Sequence, residues 1–542
     1  MIDLKTNETF LYDSLTAILE EKSFFVKNEE SVSVLAEAIL LELQMQVDLE
    51  NAVRDKSKKI PTPKTLSHWM IYEILIRRYR FARIPAGNIA SKNGKYDEVY
   101  YYCNKGPQEG IYVSAMVWLD RIVLEMNRTF GEKDCERVYF LLLRKCEVLY
   151  RTTDRNLIAV NNGIFDYDTK QLLPFSEDYV FTSKSSVDYK SDAKNVVIHN
   201  DDDGTDWDLE SWFKSIHDNP EVQTLLWQIL GAIIRPNVSW NKTAWLYSRV
   251  GNNGKGSLCK LMRGICGEGN HASIPIDAFG KDFLLEHLPS VSAVITDEND
   301  VGIYIDKAAN FKAVVTGDII QINIKHGSPL QCQFRGFMVQ CINELPKAKD
   351  TTDSFFRRQL VIPMTKRFTG IERKYIKDDY LERQEVLEYA LYRVLNMNYY
   401  ELDEPKECLD ALSDYKSENN PVLQYYEEFF DEFQWDFLPF GFLYDLYKSW
   451  MERTNPNGRA LSKNNFISEL TLLLDPLLFE VYTKNRVMPG RNINFTSEPL
   501  IEQYDLQDWM AKYYKGADRS KKCRPDVIKS SYRGIKRLLQ KV

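Results

Sequence analysis

Apolar and polar positions change period several times along the chain, and each change marks an element. Residues 30–54 place Leu, Val, Ala and Ile at helical spacing among glutamates, which predicts a helix of several turns. Residues 56–63 break that pattern with three lysines and two prolines and read as a linker. A second helical run covers 65–83, and residues 96–113 predict a hairpin turning at Gly106-Pro107. Helices return through 151, Gly163 opens a looped region that closes near 200, and 206–234 is helical again. From 243 onward short apolar runs (291–296, 319–324, 331–342) alternate with helical stretches, an α/β pattern. Residues 371–397 predict helix, and the polar stretch 401–421 reads as a second linker. Two amphipathic helices, 440–451 and 462–474, then precede a basic hairpin at 479–495 around Pro489-Gly490. The order helix, turn, helix, hairpin is that of a winged helix. These breaks divide the chain into 1–83, 84–235, 236–402 and 403–542.

Composition narrows the class. With 44% hydrophobic and 27% charged residues, 542 positions suffice for several packed cores. No apolar stretch approaches the ~20 residues that cross a bilayer, and the N-terminus lacks a basic-then-apolar leader, so the expected location is cytoplasmic, with no membrane partner. Nine scattered cysteines without a C-x-x-C pair argue for a reducing compartment and against a zinc site. The net charge of −8 hides an asymmetry. Residues 511–542 hold eleven basic side chains against Asp518 and Asp526, leaving +9 there and −17 elsewhere. A basic face on an acidic protein suits a dedicated nucleic-acid module.

The run TAWLYSRVGNNGKGS, residues 243–257, is an apolar strand breaking into a glycine-rich turn before a helix. Gly251, Asn252, Asn253 and Gly254 let consecutive N–H groups face phosphate oxygens, and Lys255 adds a full positive charge near the β- and γ-phosphates. Two positions depart from the general G-x-x-x-x-G-K-[ST] pattern: Arg249 stands at the first glycine, and Gly256 stands where a Mg²⁺-binding hydroxyl belongs, with Ser257 one step later. A ligand-free turn would look the same in isolation, but four features downstream weigh against that. The 291–296 strand ends in Asp297-Glu298, one carboxylate suited to a metal and the other to the attacking water. Alternating residues around 316–331 carry Lys325 and His326 at a hairpin tip, able to grip a phosphate and pack on a sugar. The 337–342 strand ends at Asn343, and Arg357-Arg358 supply cations for phosphoryl-transfer charge.

The order GNNGKGS, TDE, VVTGD…IKHGSP, CIN and FFRR closely resembles the superfamily 3 helicases, a viral and mobile-element branch of the AAA+ ATPases. Residues 159–189 and 225–236 resemble the segment preceding the ATPase in poxvirus-type and phage or plasmid primase–helicases, and the likeness covers roughly 85–400. It implies an α/β AAA+ P-loop core with a mostly helical N-terminal region and a C-terminal winged-helix domain. Its residue roles would be Lys255 on phosphate, Asp297 and Glu298 as the Walker B pair, Asn343 as sensor 1, and an arginine finger within Arg357/Arg358. ATP and Mg²⁺ are the implied cofactors, with Ser257 and Asp297 the candidate Mg²⁺ ligands. Lys325 and His326 resemble the DNA-gripping hairpin tip of papillomavirus-type helicases.

The last region is similar to the DNA-binding domains of staphylococcal pathogenicity-island replication initiators. There Lys463, Asn464 and Asn465 open the recognition helix, and Lys484, Arg486 and Arg491 sit on the basic hairpin. The resemblance implies a phage or mobile-element replication initiator: a homo-oligomer, by family a hexamer, unwinding DNA 3′→5′ in a bacterial host cell. Its partners would be single- and double-stranded DNA, including an origin, with a primase or host replication proteins as further candidates. Residues 1–150 show no primase signature, neither a zinc-ligand cluster nor an Asp-x-Asp strand followed by His. An origin-binding ATPase that recruits another helicase, and a bifunctional primase–helicase, remain the alternative readings.

Overall fold

In the computed structural model, residues 6–21, 31–85, 97–281, 283–323, 329–370, 372–454 and 460–538 are described. They fall into two units, 1–411 and 412–542.

The first unit begins with helices Asn7–Glu21, Val32–Val53 and His68–Arg78. The second is the helix foreseen from the 30–54 pattern; Leu35, Ile39 and Leu43 are its buried stripe, packed with Leu15, Ile18 and Leu19 of the first. The 65–83 run is not helical throughout. Its helix ends at Arg78, and Phe81–Pro85 forms a strand antiparallel to Asp97–Tyr102, which pairs in turn with Tyr112–Ser114. The last two strands are the expected hairpin arms, and position 83 lies inside the added strand. The helical pattern extends into 81–83 on apolar content alone, which cannot separate helix from strand over so short a run. Helices Met116–Met126 and Glu132–Lys145 close this core.

The region foreseen as a loop after Gly163 opens with a three-stranded meander, Leu157–Val160, Gly163–Asp166 and Gln171–Leu173. Helix Leu209–Ile216 is capped by Asp208, and Pro220–Ala232 by Asn219 with Pro at the first turn, so the 206–234 run divides at Asn219-Pro220.

The center of the unit is a five-stranded parallel sheet. Its strands in chain order are β1 (Thr243–Tyr247), β2 (His271–Ala272), β3 (Ala293–Thr296), β4 (Phe337–Ile342) and β5 (Gln359–Pro363). They lie side by side as β2-β3-β4-β1-β5. All residues of β3 and β4 are buried, as expected where both faces of a parallel sheet are covered. On one face Leu246, Ile295 and Val339 share a core with Leu258 and Met262 of helix Lys255–Cys266, Ile229, and Val394 of helix Gln384–Leu395. On the other, Trp245 packs near Phe311, with ring centroids 6.2 Å apart. Because Thr296 is in register with Gln340 and Ile342 with Tyr247, the carboxyl ends of β1, β3 and β4 open on one edge. Ligands of open parallel sheets bind at that edge.

A separate antiparallel pair, Ile319–Ile322 with Leu330–Gln333, forms the arms of the hairpin foreseen around 316–331. Its tip residues, Lys325 and His326, lie outside the described residues.

In the second unit, helix Pro421–Phe429 is followed by strand Phe437–Pro439, helices Phe440–Thr454 and Lys463–Leu473, and strand Phe479–Tyr482. Residues 401–421 are therefore not an open linker: Lys406–Asn419 is helical. The hairpin foreseen at 479–495 is also corrected. Strand Phe479–Tyr482 pairs with Gly534–Arg537 from the basic tail, and Met488–Pro489 pairs with Ser531–Tyr532. Gly534–Arg537 is the middle strand of three, flanked by Phe437–Pro439 and Phe479–Tyr482. Helix, strand, helix, helix and two further strands, with the last in the middle, is a winged-helix-like order, and residues 483–533 expand its wing. Pattern reading could not reveal this because the pairing partner lies some fifty residues downstream. Part of the tail's charge is structural: the Arg537 guanidinium donates to the carbonyls of Phe430 and Phe433 just past helix Pro421–Phe429, where cations are favoured.

Candidate nucleotide site and nucleic-acid surface

The turn after β1 is built by two residues in the left-handed region, Asn252 at φ 54° and Gly254 at φ 86°. Glycine takes that conformation without steric cost, and asparagine tolerates it. Gly254 is the residue before helix Lys255–Cys266, so the first N–H groups of the helix face the open edge of the sheet. Asn253 is buried; its amide donates to the Val250 carbonyl and its oxygen accepts from the Lys255 N–H at 3.3 Å, which holds the turn closed. The loop is anchored from outside as well. The Phe368 N–H donates to the Asn252 carbonyl at 2.7 Å, and the Asn252 amide donates to Glu372 at 2.7 Å.

Lys255 is 8% exposed, and its ammonium donates to Asn343 Oδ1 at 2.6 Å, the Ile342 carbonyl at 3.0 Å and the Ser248 carbonyl at 3.4 Å. The cation of the loop thus sits directly on the side chain that ends β4. Burial holds the Lys255 ammonium below the ordinary lysine range, and Glu298 lies near enough to oppose that shift. Asp297 follows β3, and one of its oxygens takes the Arg263 guanidinium at 2.8 Å. Its other oxygen, Oδ1, is buried and accepts no hydrogen bond among the described residues. A buried, unsatisfied carboxylate oxygen is what a divalent cation would fit. Glu298 beside it is exposed.

Gly256 does not arise from crowding by the main chain: a Cβ there would meet only the tip of Lys377 at 3.2 Å. The loop's hydroxyl comes from Ser257, which lines a cavity of about 700 Å³ with Asn252, Gly254, Trp212, Phe368 and Arg373. Its aromatic walls offer stacking for a purine, and Arg373, Lys374 and Lys377, set among Asp206, Asp208 and Glu372, offer charge for phosphate.

Sequence reading missed these walls, which come from segments before and after the loop and converge only by folding. It also missed Arg263, whose signal is its place eight residues after Lys255 on the same helix. Behind the acid strand, Cys259 and Cys341 are buried with sulfurs 3.4 Å apart, and that contact, then burial, pushes the Cys259 thiol well up.

The two candidate arginines differ in setting. Arg358 is held by its own helix turn, donating to the Ser354 carbonyl and to Ser354 Oγ at 3.1 Å, and burial followed by Arg357 lowers its pKa. Arg357 is exposed.

In the second unit, Lys463, Asn464 and Asn465 are exposed on the first turn of helix Lys463–Leu473, whose N-cap Ser462 accepts the Asn465 N–H. Lys484, Arg486 and Arg491 are exposed in the segment after strand Phe479–Tyr482. Arg486 is engaged by Glu480 and lies over the Tyr482 ring at 4.8 Å, so part of its charge is already neutralised.

A glycine-bearing loop feeding a helix, with its lysine on the end of β4 and an acid strand next to that, defines a P-loop ATPase-type fold. Comparison with known proteins sharpens the class. Residues 132–231 match the D5 N terminal like family, 417–509 the poxvirus D5 protein-like family, and 246–358 a family of unknown function (DUF5906). Over the first two of these segments the chain is similar to the superfamily 3-type primase–helicases of the poxvirus D5 branch. No curated protein matches it. Solved structures of the NrS-1 C-terminal region align with 87–88% of this chain and 100% of theirs. Those alignments have 11–13% identity and TM-scores of 0.39–0.43. Among the described residues no helix is long and apolar enough to cross a membrane.

Proposed function

We propose that the chain is a ring-forming, ATP-driven DNA helicase and replication initiator of a phage or related mobile element, and that its second unit binds the origin. The observation that supports this most directly is the Lys255–Asn343 contact at the open edge of the sheet, with Asp297-Glu298 on the neighbouring strand. On this reading Gly251 to Ser257 wrap the triphosphate, Lys255 binds the β- and γ-phosphates, Glu298 polarises the attacking water and Asn343 orients it. Asp297, with Ser257 as the loop's hydroxyl, would hold Mg²⁺, which supplies charge neutralisation between the β- and γ-phosphates. Lys255 would leave Asn343 for phosphate when ATP binds, freeing the amide for water: one side chain couples occupancy to the end of β4. Lys325 and His326 on the hairpin would grip one DNA strand and translocate 3′→5′ around a hexamer.

The deciding measurement is strand displacement on forked duplex by the purified protein alone with ATP and Mg²⁺. Unwinding supports the motor; ATP hydrolysis and origin binding without unwinding would make it an initiator that recruits another helicase. Primer synthesis in the same preparation would establish the bifunctional reading.

For the origin, Lys463, Asn464 and Asn465 are the side chains placed to reach base edges, with Lys484, Arg486 and Arg491 set against the backbone. Asn464→Ala is expected to cost origin binding about 1–3 kcal/mol and flatten sequence preference. Lys484→Ala is expected to weaken all duplexes alike and reduce the salt slope by about one. Competition binding against scrambled duplex at two salt concentrations checks both.

A further inference from the structure

Away from the candidate nucleotide site, the first unit holds a partly open cavity of about 70 Å³. Its walls come from the 150–185 segment, the Pro289–Ser292 turn that leads into β3, and the return arm of the hairpin at 333–335. Three cationic side chains line it, Arg151, Lys184 and Arg335, and no carboxylate does among the described residues. Hydroxyls and amides fill out the polar lining, Ser292 and Asn237 among them.

The three cations are not equivalent. Lys184 is 6% exposed and its ammonium already donates to the carbonyls of Glu109 at 2.8 Å and Asn161 at 3.1 Å, so it contributes charge rather than a free donor. Arg151 donates to the Pro289 carbonyl at 3.4 Å and is hydrogen-bonded to Tyr100, which also meets Glu98. Arg335 reaches Gln333 Oε1 only at 3.4 Å, and its Nε is buried with no hydrogen-bond partner. Burial, and after it the charge of Arg151, pushes the Arg335 guanidinium below its ordinary range. A guanidinium such as that of Arg335, partly buried beside a second cation in a cavity whose lining holds no acid, is disfavoured, and its buried unpaired N–H costs further. A small oxyanion resolves both: it offers acceptors in the fork geometry that guanidinium matches.

We propose that this cavity binds a phosphate group, a tetrahedral oxyanion held between Arg151 and Arg335. Size supports a small ligand. About 70 Å³ holds a few waters at roughly 30 Å³ each, enough for a phosphate and too little for a nucleoside. The anion would tie the hairpin arm to the turn that leads into the acid strand, so its presence would stiffen the link between the DNA-facing and hydrolytic elements. Two sources share this chemistry: free inorganic phosphate, the product of ATP hydrolysis, and the terminal phosphate of a nucleic-acid strand.

The inference goes beyond the proposed function and does not depend on it, because the test is run on full-length protein carrying Lys255→Ala, in which the loop's own phosphate ligand is gone. Calorimetric titration with sodium phosphate, against sodium chloride at equal ionic strength, is expected to show one saturable site. Adding Arg335→Gln is expected to weaken it at least about tenfold, with Arg335→Lys intermediate. Absence of a saturable site, or equal affinity with Arg335→Gln, overturns the proposal. In chloride alone Arg335→Gln is expected to unfold at the same or a higher temperature, since it removes a like charge; a marked fall would mean that Arg335 serves packing and would overturn it too. A 5′-phosphorylated oligonucleotide that displaces phosphate, where its 5′-hydroxyl counterpart does not, identifies a strand terminus as the source. Displacement by neither identifies free phosphate, and equal displacement by both refutes a site selective for a phosphate group.

Discussion

Replacing Lys255 with alanine is expected to lower ATP turnover at least about a hundredfold, the scale set by removing one preorganised charge or donor from a developing phosphoryl transition state. The structure allows this loss to be separated from misfolding. Lys255 is a buried cation whose acceptors, Asn343 Oδ1 and two carbonyls, repay only part of its desolvation. Asn343 is exposed, and the Ile342 carbonyl also accepts the Ser248 N–H at 3.0 Å, so losing the ammonium strands few groups. Lys255→Met, which keeps the stem and removes the charge, should therefore unfold near the wild-type temperature while being equally inactive.

The pH dependence carries a further sign. The Lys255 ammonium is held below its ordinary value of 10.5 in the folded state, so the unfolded chain binds more protons between the two values. Wild-type stability should then rise relative to Lys255→Met as pH climbs through the lowered value toward 10.5. Thermal unfolding of both proteins across alkaline pH measures the difference. A constant offset would mean that Lys255 is not desolvated, and with it the closed geometry of the loop would fall.

The geometry of the candidate nucleotide site is legible in sequence because its parts are local. A turn needing φ > 0 announces itself by Gly and Asn, and strands buried on both faces announce themselves as apolar runs whose last residue faces the ligand edge. Gly254, Asp297 and Asn343 were placed that way, and the sheet order then brings their strands together. What sequence did not carry was pairing at a distance. The helical pattern of 65–83 takes in 81–83 because so short an apolar-rich run fits either period, and only the partner strand at Asp97–Tyr102 decides. The wing's true partner, Gly534–Arg537, lies inside a stretch whose positive charge suits a nucleic-acid face rather than a sheet strand. Ile535 is fully buried there, an alternating apolar position outweighed by eleven basic neighbours in the reading. Arg263 and the Trp212–Phe368 walls were hidden for the same reason: each acquires its role from a segment far along the chain.

The two arginines that the motif left equivalent are separated by their surroundings, and that yields the sharpest test of the ring. Arg358 is bound back onto Ser354, whereas Arg357 points its charge to solvent from the end of helix Asp353–Phe356. Arg357→Ala is expected to reduce ATP turnover by about 10³ or more, the usual worth of an arginine finger, and Arg358→Ala to act mainly on stability. The loss should be repairable in trans. An Arg357→Ala subunit retains an intact Lys255 loop, and a Lys255→Ala subunit retains an intact Arg357. Neither hydrolyses ATP alone, but in a head-to-tail ring the second can serve the first. A random equimolar mixture should recover up to about a quarter of wild-type turnover, because one interface in four pairs the two intact halves. Recovery requires both shared sites and subunit exchange, so the mixed proteins are co-expressed. If the co-expressed mixture is as inactive as its parts, Arg357 acts on its own subunit's nucleotide and the site needs no neighbour.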